Sequence, residues 1–263
     1  MSDTRGSELQ IQSIILCEGY YDRAFWAGWL IDMGFMDPGL QPGKAARIPI
    51  RDPWGRAVGR GQFAFRSPGD GFVRVVPCGG RANVIPRARE FIKEQATREL
   101  AHMVLNVDDD ANAGEIPSDT ALTPGDLLGA IQNVAPDATY DPAQRRITSG
   151  LTVIHLVAWR TDDPPNDLLP TKQCLERLVC GALAEVYPDR ATAVARWLKD
   201  RPDPPDSDPK EFAWSHMAGW YAKHGCEDFL RHLWREPAVA DALRTRLTQC
   251  KADTAMKALL GTW

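Results

Sequence analysis

Long apolar runs are missing from this 263-residue chain: none approaches the roughly 20 residues that a membrane-spanning helix needs. The segment Met1 to Gln10 is polar, with no charged stub leading into an apolar block. That reads against a secretory leader and sets the expected location as the cytoplasm. Paired cysteines are missing as well. The six thiols, Cys17, Cys78, Cys174, Cys180, Cys226 and Cys250, form no C-x-x-C pair and have no histidine at zinc-finger spacing. A disulfide framework and a structural zinc site are thereby set aside, and the cysteines read as small core residues. Bulk positive charge is absent too, the formal net charge being −4. Nucleic acid would have to be contacted through a local patch. No internal repeat is visible.

With 44% hydrophobic and 25% charged residues, the chain has enough apolar side chains for one sizeable core, or a core with a smaller appendage. Ser13 to Cys17 is a short apolar run closed by Glu18-Gly19, after which Phe25, Trp26, Trp29, Leu30 and Met33 recur at helical spacing. The pattern is strand, turn, helix. Residues 36–71 are rich in Gly, Pro and Arg. Between Gln41 and Arg74 lie Lys44, Arg47, Arg51, Arg56, Arg60, Arg66 and Arg74, against only Asp52 and Asp70. This basic insertion, with Trp54, Phe63 and Phe65 among its arginines, reads as an inserted hairpin or an irregular arm suited to nucleic acid. A solvated loop is the plainer alternative.

Strand signals resume at Phe72 to Val76 before the turn Pro77-Cys78-Gly79-Gly80, then at His102 to Val107 before Asp108-Asp109-Asp110, and at Thr152 to Trp159 before the breakers Asp162 to Pro165. Strands alternating with helices predict an α/β fold with a parallel sheet covered on both faces. From about Thr171 only helical signals remain: Leu175 to Val186, Ala191 to Leu198, Lys210 to Lys223 and Asp228 to Leu247, with Arg201 to Asp206 as an extended interruption. The expected division is a core over residues 9–180, carrying the insertion, and a helical extension over 181–263.

In a sheet of right-handed β-α-β units, residues just past the strand ends gather along one edge. Glu18 follows the first strand, and Asp108 and Asp110 follow the third. If those strands are neighbours, three carboxylates converge. Residues two apart in the turn can face one crevice, so Asp108 and Asp110 are expected to share a metal while Asp109 points aside. Clustered carboxylates repel, and a hard cation with oxygen ligands relieves that repulsion.

Leu16-Cys17-Glu18-Gly19-Tyr20-Tyr21-Asp22 resembles the first motif of the Toprim family, an acid-glycine pair ending strand one. Val104 to Asp110 resembles the second, a D-x-D after a later strand. The interval between them holds a strand and a glycine turn, Val73 to Gly80, as in the family. The resemblance covers residues 13 to 180. The spacing Glu18-x-x-x-Asp22 is closer to the nuclease branch, including the OLD-type nucleases. The continuation Ala111-Asn112-Ala113 departs from the Arg-Glu-Gly of topoisomerases and primases.

The resemblance implies a Toprim-like sheet and a Mg²⁺- or Mn²⁺-dependent nuclease in which Glu18 is general base or metal ligand. Asp22, Asp108 and Asp110 would bind metal. It also implies a further acid after the fourth strand to complete a second metal position. Glu176 is preferred for it over Asp162 and Asp163, which lie closer to the strand end. Nucleic acid, DNA ahead of RNA, is the expected partner. A separate ATPase chain, a homo-oligomer and a role in bacterial defence against phage are further expectations of the same kind. The alternative is a non-catalytic nucleic-acid-binding or regulatory subunit.

Each residue also has a plainer reading. Asp108 and Asp110 alone fit a solvated loop, Asp22 is an acid in the first turn of a helix, where the dipole favours one, and Glu176 fits an exposed helical position. Asp108-x-Asp110-x-Asn112 fails as an EF-hand, with Ala113 at the sixth position and Asp119 at the twelfth. Gly39 to Ala45 is one residue short of a P-loop and lacks its Ser/Thr. Gly79-Gly80-Arg81 fits either a phosphate-facing turn or a tight turn needing positive φ. His216 and His224, with Trp214, Trp220 and Tyr221, read as core packing.

Overall fold

Gln12 to Cys17 is buried at every position, as befits a strand covered on both faces. In the computed structural model, which describes residues 12–39, 50–53, 55, 57–59, 61–69, 71–95, 100–115, 124–201, 209–221 and 225–261, this segment is β1 of a seven-stranded sheet. In chain order there follow α1 (Tyr20–Asp32), β2 (Phe63–Arg66), β3 (Phe72–Pro77), α2 (Val84–Gln95), β4 (Leu100–Asp108) and α3 (Pro124–Gln132). Then come β5 (Thr139–Asp141), β6 (Arg146–Ser149), β7 (Thr152–Trp159), α4 (Leu175–Val186), α5 (Pro188–Lys199) and α6 (Pro209–Ala218). The chain closes with α7 (Cys226–His232), α8 (Pro237–Gln249) and α9 (Ala252–Leu260).

The strand order is β2-β3-β1-β4-β7-β6-β5. The α/β class expected from the sequence is what the structure has, with a parallel centre of β3, β1, β4 and β7. The edges are antiparallel, so the sheet is mixed. Short connections explain this: Gly150-Leu151 joins β6 to β7, and a two-residue link permits only antiparallel pairing. Phe63–Arg66 likewise pairs with β3 as an edge strand, continuing the sheet. Its turn is held by the Gly71 N–H donating to Ser67 Oγ at 2.8 Å. Of the basic insertion, Lys44, Arg47, Trp54, Arg56, Arg60 and Asp70 lie outside the described residues.

Side chains alternate across the central strands. Ile15, Cys17, Val104, Val157 and Trp159 face a layer built by α1 and the C-terminal helices. Ile14, Leu16, Met103, Leu105 and Leu156 face α2 and α3. Helix α1 is buried from Asp22 to Leu30 because it lies between the sheet and α7. Gly28 makes this approach possible: a Cβ there would meet the Arg231 carbonyl at 2.7 Å and Trp234 at 2.6 Å. Trp29 stacks on Trp234 at 5.5 Å, and the indole of Trp26 donates to Asn106 Oδ1 at 2.9 Å. The expected division after residue 180 falls inside α4, whose residues on both sides pack in this same layer.

The helix expected over Asp228 to Leu247 is two helices, α7 and α8, separated by a 3₁₀ turn at Leu233–Arg235. Pro237 cannot donate to a preceding turn and starts a new helix. Helix α6 ends at Ala218, and His224 and most of the Arg201 to Asp206 interruption lie outside the described residues. Among the described residues, no helix is long and apolar enough to cross a membrane.

Candidate functional site

Strands β1 and β4 are parallel neighbours, with Cys17 opposite Asn106, so the residues just beyond them meet at one rim. Glu18 Oε2 accepts the backbone N–H of Asp108 at 3.0 Å. Asp22, in the first turn of α1, accepts the Gly19 N–H at 2.9 Å through Oδ2 and the Trp159 indole N–H at 2.7 Å through Oδ1. Trp159 is the last residue of β7, so three strands contribute to the arrangement.

The fourth contribution comes from further along the chain. Residues 110–113 pair with 171–173: the Asp110 N–H donates to the Gln173 carbonyl at 2.9 Å, the Gln173 N–H to Ala111 at 2.8 Å, and the Ala113 N–H to Thr171 at 2.9 Å. This short pairing delivers the start of α4 to the rim. Asp108 Oδ1 accepts the N–H of Leu175, the first residue of α4, at 3.0 Å, and Glu176 follows immediately. A carboxylate at a helix start is favoured by the unpaired amides there.

Burial and the neighbouring acids act on these carboxyls in the same direction. Burial pushes Asp22 up to about 7, and the charges of Glu176 and Glu18 add to it, while the bonds from Trp159 and Gly19 oppose the rise. Asp108 is raised well above the ordinary carboxylate range by burial and then by Asp22, Glu176 and Glu18, with the Leu175 amide opposing. The thiols of Cys17 and Cys174 are pushed up by burial, which removes them as thiolate nucleophiles.

Glu18, Asp22, Asp108 and Glu176 are therefore brought together. Asp110 is placed differently: its carboxylate pairs with Arg81 Nη1 at 2.6 Å. Its φ of 63° breaks the extended alternation that would let residues two apart share a face. Asp109 is buried and pairs with Arg160 at 2.9 Å. Asp162 and Asp163 take part elsewhere, the latter in a two-pronged ion pair with Arg246 at 2.8 and 2.9 Å. Asn112 is turned onto Glu115 at 2.8 Å, away from any EF-hand arrangement. His216 is buried and packs edge-on against Phe212. Arg74 of the basic stretch donates to Gln62 at 2.7 Å and lies 3.7 Å from Asp52, while Arg51 and Arg66 are exposed.

The donor set suits a hard divalent cation: all oxygen, and acidic beyond what burial tolerates. Glu18 Oε1 and Asp108 Oδ2 accept no hydrogen bond among the described residues. No group of three or more His, Cys, Asp or Glu side chains among the described residues already has metal-holding geometry. Trp159 and the Leu175 amide have no part in the sequence-based site, and Arg81 enters it only through its turn, Gly79-Gly80-Arg81, not through its side chain.

No family model matches the chain. No curated protein matches it. Among solved structures, the crystal structure of a hypothetical protein from Pyrococcus horikoshii OT3 is similar in fold, with a TM-score of 0.63 at 14% identity, over 96% of this chain and 100% of that one.

Proposed function

We propose that this chain is a Toprim-like, Mg²⁺- or Mn²⁺-dependent nuclease that cleaves phosphodiester bonds in nucleic acid, DNA ahead of RNA. The observation that carries the reading is the meeting of Glu18, Asp22, Asp108 and Glu176, from three distant segments, at the rim where parallel strands end. Buried carboxyls raised by one another are a common mark of a functional site. Exposed Tyr20 and Tyr21 directly follow Glu18-Gly19; Arg23 covers one face of Tyr20 at 4.7 Å, and the ring surface left exposed is suited to stacking on bases.

In this reading Glu18 and Asp108 hold the metal through their oxygens, and Glu176 completes a second position. When bound, the metal supplies charge neutralisation at the phosphate and a water acidic enough to attack near neutral pH. Asp22 buttresses the site: its two bonds fix the Gly19 turn and thereby the direction of Glu18. The neighbours Asp108 and Leu175 fix the start of α4 and hence Glu176. A cytoplasmic location, a separate ATPase partner and a defence role belong to the same proposal, the last by analogy of fold alone.

Purified protein should nick or degrade DNA with Mn²⁺, and Glu18→Gln and Asp108→Asn should abolish product. A second reading is a nucleic-acid-binding subunit without turnover, in keeping with the lack of a three-residue metal geometry among the described residues. Binding with no cleavage of DNA or RNA under any divalent ion would establish that reading over the first.

A further inference from the structure

We propose that Arg81 is the residue that grips the substrate phosphate beside the acid cluster, with Asp110 serving as its orienting partner. The inference deepens the nuclease reading and rests on it for the identity of the ligand. Sheet order places Arg81 for this role. It leaves the turn after β3, Asp110 leaves the turn after β4, and β1 with Glu18 lies between them. The Arg81–Asp110 ion pair thus spans the end of the strand that carries Glu18.

The turn is pinned to that strand. The Cys78 N–H donates to the Cys17 carbonyl at 2.8 Å, and the Gly80 N–H to the Glu18 carbonyl at 2.9 Å. Gly79 and Gly80 have φ of 74° and 117°, which only glycine adopts without strain, so the backbone can fold against Glu18 and deliver Arg81 next to it.

The guanidinium is half used. Nη1 is committed to Asp110, whereas Nη2 is buried and has no hydrogen-bond partner. A guanidinium presents its donors as a planar fork suited to phosphate oxygens, and a buried donor of this kind calls for an acceptor. Asp110, expected from the sequence as a metal ligand, holds one prong and so sets the plane of the guanidinium, a quarter exposed, beside the end of β1. A structural latch would need only the ion pair. A phosphate grip explains the unused donor as well.

The test is fluorescence anisotropy of a labelled single-stranded oligonucleotide with the full chain in Ca²⁺, a salt series for each protein, and cleavage kinetics in Mn²⁺. Arg81→Gln should weaken binding about 10-fold and reduce the slope of log affinity against log salt by about 1. Arg81→Lys should keep the slope and recover part of the affinity, and Asp110→Asn should raise KM more than it lowers kcat. Arg81→Gln binding within about twofold of wild type with an unchanged slope overturns the proposal. Should that variant fail to fold, unchanged affinity and KM in Asp110→Asn overturn it equally. Arg81-dependent binding without cleavage by wild type would sink the nuclease reading and leave the grip standing. Cleavage indifferent to Arg81 would do the reverse, and a wild type that binds no oligonucleotide overturns both.

Discussion

The ends of β4 and β7 lie side by side, both carry acids, and the fold treats them in opposite ways. Beyond β7, Asp163 meets Arg246 in a two-pronged ion pair, and Arg246 also reaches Glu185 at 2.8 Å. Gly181 makes room for the pair, since a Cβ there would lie 2.5 Å from Asp163 Oδ2. Beyond β4, the strongest charges acting on Asp108 are other acids. One strand end is balanced within the protein and ties α8 to the sheet. At the other, Asp109 and Asp110 pair with Arg160 and Arg81, while Asp108 faces Asp22, Glu176 and Glu18. The ion-paired acid secures the packing of α8, and the acid held among other acids is the one that the proposed nuclease chemistry would use.

The comparison can be broken most forcefully at Asp108. Asp108→Asn should lower Mn²⁺-dependent cleavage by at least about 100-fold while leaving the metal-free chain as stable as wild type or more so, as read by activity and thermal unfolding together. A loss of stability equal to the loss of activity would make Asp108 a structural acid like Asp163.

Removing the other side should do the reverse. Arg246→Ala leaves the half-buried Asp163 without its partner and should cost about 2 kcal/mol of stability in denaturant titration, with cleavage per folded molecule retained.

A pH series sharpens the contrast. Because Asp22 is raised from 3.8 to about 7 in the folded chain, the folded state keeps a proton that the unfolded state has released across that window. Stability of the metal-free protein should therefore fall as pH rises from 3.8 to about 7, with the penalty complete above it. Asp22→Asn should flatten this dependence in thermal melts. The smallest effect belongs to Asp162, an exposed side chain whose backbone N–H alone is bonded, to Gln249. Asp162→Ala should change stability by less than about 0.5 kcal/mol, and cleavage not at all.

Much of the frame was legible because the relevant signals are local. Thr152 to Trp159 is a continuous apolar run before breakers, and Leu175 to Val186 carries a clean helical stripe; both appear with those bounds. Strands β5 and β6 have no counterpart in the sequence reading because three and four residues, only two of the seven buried, carry too little hydrophobic pattern, and their turn fixes their pairing. Pro237, inside the helix expected over Asp228 to Leu247, is the local signal for the start of α8.

At the site, Glu18 and Asp108 could be placed from strand ends alone. The company of Glu176 depends on residues 171–173 pairing with 110–113, which no local pattern encodes. The partner of Asp110 stands 29 residues away, and the backbone turn that separates Asp110 from Asp108 is a matter of one dihedral angle.

Mn²⁺ binding followed by electron paramagnetic resonance, wild type against Asp108→Asn, tests the account most directly. Wild type should hold at least one ion that the variant has lost, with the fold of both unchanged by circular dichroism. Equal binding by the two proteins, or none by either, would contradict it.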